Sequence, residues 1–173
     1  DTTMGLTPLE GLIMGTRCGD IDPAIIPFIM KIEGLDADGI DKLMNKESGV
    51  YGMTGISSDF RDIGEAAEKG DAKAVNALAA YHKKVKKYIG AYAAEMNGVD
   101  AIVFTAGLGE NGIDNRLEIA SDLEVLGVKM DAEANKVRGE ERVISAPDSK
   151  VKVLLIPTNE ELMIARDTLE LVK

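Results

Sequence analysis

The longest periodic run in the chain lies between Asp71 and Met96. Val75, Leu78, His82, Val85, Ile89, Tyr92 and Met96 recur there in alternating steps of three and four. That spacing draws one apolar stripe along a helix. Lys83, Lys84, Lys86 and Lys87 fall outside the stripe and read as a solvated face. The next segment, Asp100–Ala106, is a short apolar run suited to a buried parallel strand, and Gly107 ends it. A helix is predicted over about 115–126, with strands at 142–145 and 151–156. Pro157 stops the last strand, and Asn159 caps a closing helix that runs to about Leu171.

Upstream of the long helix, Asp22-Pro23 opens a helix to about Ile32, because Asp is a good N-cap and Pro suits the first helical position. Gly34 ends it, and a second helix covers 36–46. Ser57 or Ser58 caps a third, which reaches Lys69 and closes at Gly70. Residues 1–22 carry Gly5, Gly11, Gly15 and Gly19 and read as turns with a short helix around Leu9–Met14. Gly49–Ser58 reads as a loop with room for one strand. Strands alternating with helices define an α/β fold with a largely parallel sheet. No internal repeat or low-complexity linker interrupts the chain, so a single domain over 1–173 is expected.

Composition narrows the class. The 173 residues are 45% hydrophobic and 29% charged, as in an ordinary soluble globular protein. With three Phe, four Tyr and no Trp, the core must come from Ala, Ile, Leu, Val and Met. The formal charge of −10 excludes a general binder of nucleic acid or anionic membrane. Backbone amides, single arginines or a metal ion can still hold a phosphate locally. Cys18, the only cysteine, cannot close an internal disulfide, which fits a reducing, cytoplasmic setting. No apolar run approaches the roughly 18 residues of a membrane span. Asp1-Thr2-Thr3-Met4 is not a signal peptide. The absence of a leading Met, with a dense motif almost at once, reads as a fragment.

Three places have residues suited to chemistry. Gly107-Leu108-Gly109-Glu110-Asn111-Gly112 matches G-x-G-x-x-G between a predicted strand and helix, where glycines let backbone approach a phosphate. Asp131, 19 residues past Gly112, sits near where a ribose-binding acid of a dinucleotide-dependent oxidoreductase would stand. A tight turn without ligand explains the same pattern, so both the presence of a nucleotide and its kind stay open here. Thr16-Arg17-Cys18-Gly19-Asp20-Ile21-Asp22 places an arginine fork in a Gly-containing loop, able to reach a phosphoryl group or to pair with Asp20 or Asp22. Glu160, after Pro157-Thr158-Asn159, can hold Mg²⁺ or simply complement a helix dipole. Asp59 has the same plain explanation. His82, on the apolar stripe, reads as packed or at a subunit contact.

Together these segments resemble the C-terminal part of the acetate kinase family. Asp1–Arg17 continuing to Asp22-Pro23 is similar to that family's second signature, with Cys18 where Ser is expected. Gly55–Asp62, Phe104–Gly112 and Ile156–Leu162 resemble its further blocks in the expected order. The resemblance implies the acetate and sugar kinase/actin superfamily, an actin-like, ribonuclease H-like ATPase fold. This chain would be its C-terminal nucleotide-binding domain, a mostly parallel sheet flanked by helices and lacking its first strands. The implied reaction is reversible transfer of the ATP γ-phosphoryl group to acetate, giving acetyl phosphate and ADP, with Mg²⁺ as cofactor. A propionate-preferring kinase of the same family is the alternative.

Carried over residue by residue, Arg17 stabilises the phosphoryl group in transit. Asp59, Phe60 and Arg61 border the adenosine, as do Gly107, Leu108, Gly109, Glu110 and Asn111, and Glu160 is a Mg²⁺ ligand. The resemblance also implies a homodimer formed through this domain. The acetate pocket, the catalytic Asp and His and the Gly-rich phosphate loop would lie upstream of Asp1.

Overall fold

A computed structural model describes residues 1–173. The chain divides into two compact units, Asp1–Tyr92 and Ala93–Lys173.

The first unit is a looped N-terminal segment followed by α1 (Ile25–Glu33), α2 (Ala37–Lys46), α3 (Gly49–Thr54), α4 (Phe60–Glu68) and the bulk of α5 (Ala72–Glu95). Local signals account for most of these. The Asp36 side chain accepts the Gly39 N–H at the start of α2, and Gly34 ends α1 in the left-handed conformation. Asp59, rather than Ser57 or Ser58, caps α4 by accepting the Arg61 N–H.

Two expectations fail for one reason. No helix forms at Leu9–Met14, and the glycine-rich 49–54 stretch is helical. The carbonyls of Met14 and Gly15 accept the N–H groups of Val50 and Tyr51 at 3.0 and 2.9 Å, so the two stretches satisfy each other across the fold. Gly49 makes this approach possible: at φ 64°, a Cβ there would stand 2.3 Å from the Met14 carbonyl oxygen.

The core of this unit is Val50, Ile63, Ala74 and Ala77, with Ile13, Phe60 and Leu78 packed against it. The predicted stripe on α5 is therefore displaced. Val75 and Met96 are exposed, and Ala74 and Ala77 make the buried face. Small side chains sink deepest because they let helices pack close, which a search for large apolar residues overlooks.

The second unit contains β1 (Ala101–Phe104), α6 (Ala106–Asn111), α7 (Ile113–Ala120), β2 (Arg142–Val143), β3 (Lys152–Leu155) and α8 (Glu160–Leu171). The predicted helix 115–126 breaks at Ala120 into a separate 3-10 turn at Glu124–Leu126. The sheet order is β1-β3-β2. β1 and β3 run parallel, Ala101 opposite Lys152 and Phe104 opposite Leu155, whereas β2 is antiparallel to β3. The expected largely parallel sheet is thus a small mixed one. The connection 144–151 is too short for the crossover of about a dozen residues that a parallel neighbour needs. Ile119, Val128, Ile144, Val151, Val153 and Leu155 are buried in this unit, an α/β arrangement as expected. No helix is long and apolar enough to cross a membrane.

Candidate functional site

The residues singled out above fall in both units. In the first unit, Arg17 lies in the loop between the N-terminal turns and α1. Its guanidinium touches Met14 Sδ at 3.5 Å. Neither neighbouring acid pairs with it. Asp20 accepts from the Gly11 N–H at 2.7 Å, the Tyr88 hydroxyl at 2.6 Å and Lys84 Nζ at 3.1 Å, and Asp22 accepts the Ala24 N–H at 2.9 Å. The ion-pair reading of Arg17 therefore does not hold, and Lys84 is not part of a purely solvated face. Cys18 is half-buried, donates to the Gly19 carbonyl at 3.2 Å, and has its thiol pKa pushed up by that burial. It is a packed thiol, not a poised nucleophile.

Asp59, Phe60 and Arg61 form the first turn of α4. Arg61 Nη2 binds Asp59 Oδ2 at 2.6 Å and Nε reaches both carboxylate oxygens at 3.1 Å. With the capping N–H, this holds the Asp59 carboxyl down at about 2. The Phe60 ring packs on Tyr81, centroids 4.8 Å apart, so its inner face belongs to the core.

In the second unit, Gly107–Asn111 is not an open loop but helix α6, entered through Ala106 at φ 57°. A left-handed conformation in a non-glycine residue costs about 1–2 kcal/mol and survives only where its surroundings enforce it. The glycines do different work. A Cβ at Gly107 would meet nothing within 4 Å, leaving backbone open to a ligand, whereas at Gly109 it would press on Phe104 at 3.3 Å. Leu108 is half-buried on the same turn. Asn111 donates from Nδ2 to the Gly107 carbonyl at 3.0 Å. Glu110 accepts the Thr158 N–H at 2.8 Å and its hydroxyl at 3.0 Å, and these bonds, the N–H first, lower its pKa.

Thr158 precedes Glu160 by two residues, so Glu110 ties α6 to the turn that carries Glu160. These two sequence blocks come together. Asp131 Oδ1 instead accepts the N–H groups of Glu133 and Ala134 at 3.0 Å, which gives it a plain local role as a turn residue.

Arg116 is the largest fully buried side chain, and no sequence motif marks it. Nε donates to Asn135 Oδ1 at 2.8 Å. Nη1 donates to the Gly109 and Glu110 carbonyls at 2.8 and 2.9 Å, and Nη2 to those of Asn135 and Val137 at 2.8 and 2.7 Å. It thus takes up the orphan carbonyls at the end of α6 and fixes that helix. Burial, and secondarily Arg138, lowers its pKa, though a guanidinium stays charged. One signal was available: Arg116 is three residues from both Ile113 and Ile119, on the apolar side of its helix.

No group of three or more His, Cys, Asp or Glu side chains is placed to hold a metal ion. Mg²⁺ does not need one. It commonly binds one or two carboxylates and completes its shell with water and phosphate oxygens. Glu160, exposed in the first turn of α8, fits that partial role as a hard oxygen donor beside the Glu110–Thr158 link.

Comparison with known proteins covers the whole chain. The acetokinase family profile matches residues 1–166. Acetate kinase of Clostridioides difficile (strain 630) is 76% identical over 173 residues, all of this chain and 44% of that protein. The crystal structure of Porphyromonas gingivalis acetate kinase superposes with a TM-score of 0.94 at 50% identity, covering 99% of this chain and 43% of that one. A propionate kinase from Francisella tularensis gives a TM-score of 0.88 at 42% identity, covering 95% and 42%. The chain spans less than half the length of the relatives it matches.

Proposed function

This chain belongs to the acetokinase family, and from that premise we propose that it is the C-terminal nucleotide-binding part of a two-domain acetate kinase. The proposed reaction is ATP plus acetate to ADP plus acetyl phosphate, in either direction. The observation that carries the proposal is the similarity to acetate kinases through every part of the chain, the Arg17 loop and the Glu110–Glu160 region included.

Phosphoryl transfer asks little covalent help of the protein and much positioning and charge neutralisation. Arg17, whose neighbouring acids are engaged elsewhere, offers its planar fork to the phosphoryl oxygens in transit. Asp59, Phe60 and Arg61 border the adenosine in this reading, as does Gly107–Asn111, with Gly107 giving backbone access. Glu160 would hold Mg²⁺, directly or through water. When bound, the ion neutralises phosphate charge. The acceptor pocket belongs to the remaining length of the protein, as does the choice of acetate over propionate. Comparing kcat/KM for the two acids separates the readings. A cytoplasmic homodimer, joined through this part of the chain, completes the proposal.

Ligand choice tests it. In a protein of the family's full length carrying this chain, Mg-ATP should raise the unfolding temperature and NAD or NADP should not. Stabilisation by the dinucleotides alone would overturn the reading.

A further inference from the structure

We propose that Asp20, held by Tyr88 and Lys84 of α5, is a positioning residue for Arg17. The inference rests on the reading of Arg17 as the group that meets the phosphoryl oxygens. The Arg17 side chain is itself weakly held, touching Met14 Sδ at 3.5 Å, so its placement depends on its backbone. One side of that backbone is fixed by α2 and α3. The Cys18 N–H donates to the Met44 carbonyl at 3.0 Å, the Thr16 hydroxyl to that of Asn45 at 2.8 Å, and the Ser48 N–H to that of Thr16 at 3.0 Å.

The other side is closed by Asp20. Its N–H donates to the Gly11 carbonyl at 3.0 Å while its Oδ1 accepts the Gly11 N–H at 2.7 Å. This clasps the two ends of the 11–20 loop around Arg17. Gly19 is required inside the clasp: at φ 70°, a Cβ would lie 2.7 Å from the Gly11 carbonyl oxygen. The other carboxylate oxygen, Oδ2, accepts the Tyr88 hydroxyl at 2.6 Å and Lys84 Nζ at 3.1 Å. One carboxylate therefore closes the loop and ties it to the long helix. A misplacement of about 1 Å in a transition-state group costs on the order of 10²-fold in rate.

The test is a mutant cycle in a protein of the family's full length carrying this chain. Asp20→Ala should lower kcat by about 10–100-fold with KM for ATP little changed. Tyr88→Phe, which keeps the ring and removes only the hydroxyl, should lower it about 3–10-fold, the worth of one hydrogen bond. In an Arg17→Ala background Tyr88→Phe should have no further effect on kcat, because nothing remains to be placed. An equal Tyr88→Phe loss in both backgrounds would mean a merely structural role and overturn the proposal. So would normal turnover of Tyr88→Phe beside a slow Arg17→Ala, and that outcome leaves the Arg17 reading standing. Normal turnover of Arg17→Ala removes the reading and the inference together. Should Asp20→Ala fail to fold, the Tyr88→Phe cycle decides alone.

Discussion

Arg17 and Arg116 are two arginines whose guanidinium groups pair with no neighbouring acid, for opposite reasons. Arg116 spends its donors on five hydrogen bonds inside the second unit and is fully buried. Arg17 is half-buried with its donors largely unspent. Arg116→Ala should therefore act on stability. Buried carbonyls left without donors each cost about 1–3 kcal/mol, so a loss of at least ~3 kcal/mol is expected in urea unfolding. Glu160 poses a different alternative. As a metal ligand, its replacement by Ala should raise the Mg²⁺ concentration needed for half-maximal rate at saturating ATP. If it only complements the dipole of α8, the change should cost about 0.3–1 kcal/mol of stability and leave the Mg²⁺ dependence alone. A Mg²⁺ titration of the variant separates them.

Between elements, the Asp20 clasp joining the first loop to α5 should show a pH window. Desolvation pushes the Asp20 carboxyl up, but bonds from Tyr88, Lys84 and the Gly11 N–H outweigh it and its pKa is lowered. Its contribution is present above the ordinary value of about 3.9 and lost as pH falls through the lowered one. The bond to Asp20 pushes the Tyr88 phenol up to about 12. That contribution is full below the ordinary value of about 10 and lost as pH rises toward about 12. Urea midpoints across pH should fall at both ends, and Tyr88→Phe should lack the alkaline fall that the phenol causes.

The same elements show what was legible in the sequence. α2, α4 and α8 follow local rules through caps at Asp36, Asp59 and Asn159. α1 ends at a left-handed Gly34 but starts at Ile25, past the expected Asp22-Pro23 start. The apolar spacing marked α5 as a helix but not its buried face. α3 is held by bonds to Met14 and Gly15, far away in sequence, and α6 by Arg116, so neither leaves a local periodic trace. Among the candidate residues, the types at Arg17, Glu110 and Glu160 were legible. The Glu110–Thr158 bond that joins two blocks was not, because it is a tertiary contact.

At the scale of the whole molecule, the chain carries the proposed phosphoryl and nucleotide groups but not the proposed acceptor pocket. Orientation of the acceptor is worth as much as ~7–11 kcal/mol in such reactions, so the isolated 173 residues should make no measurable acetyl phosphate. Phe28 and Ile32 on α1, and Met163, Ile164 and Leu169 on α8, are exposed, so light scattering should find this isolated chain self-associated. The most direct test of the account is acetate-dependent ADP release from Mg-ATP by a protein of the family's full length carrying this chain, measured with and without Arg17→Ala. Acetate-dependent turnover should fall about 10²–10³-fold in the alanine variant while ATP affinity holds, with Arg17→Lys recovering only part. ADP release that ignores acetate, or an alanine variant with near-normal turnover, would contradict it.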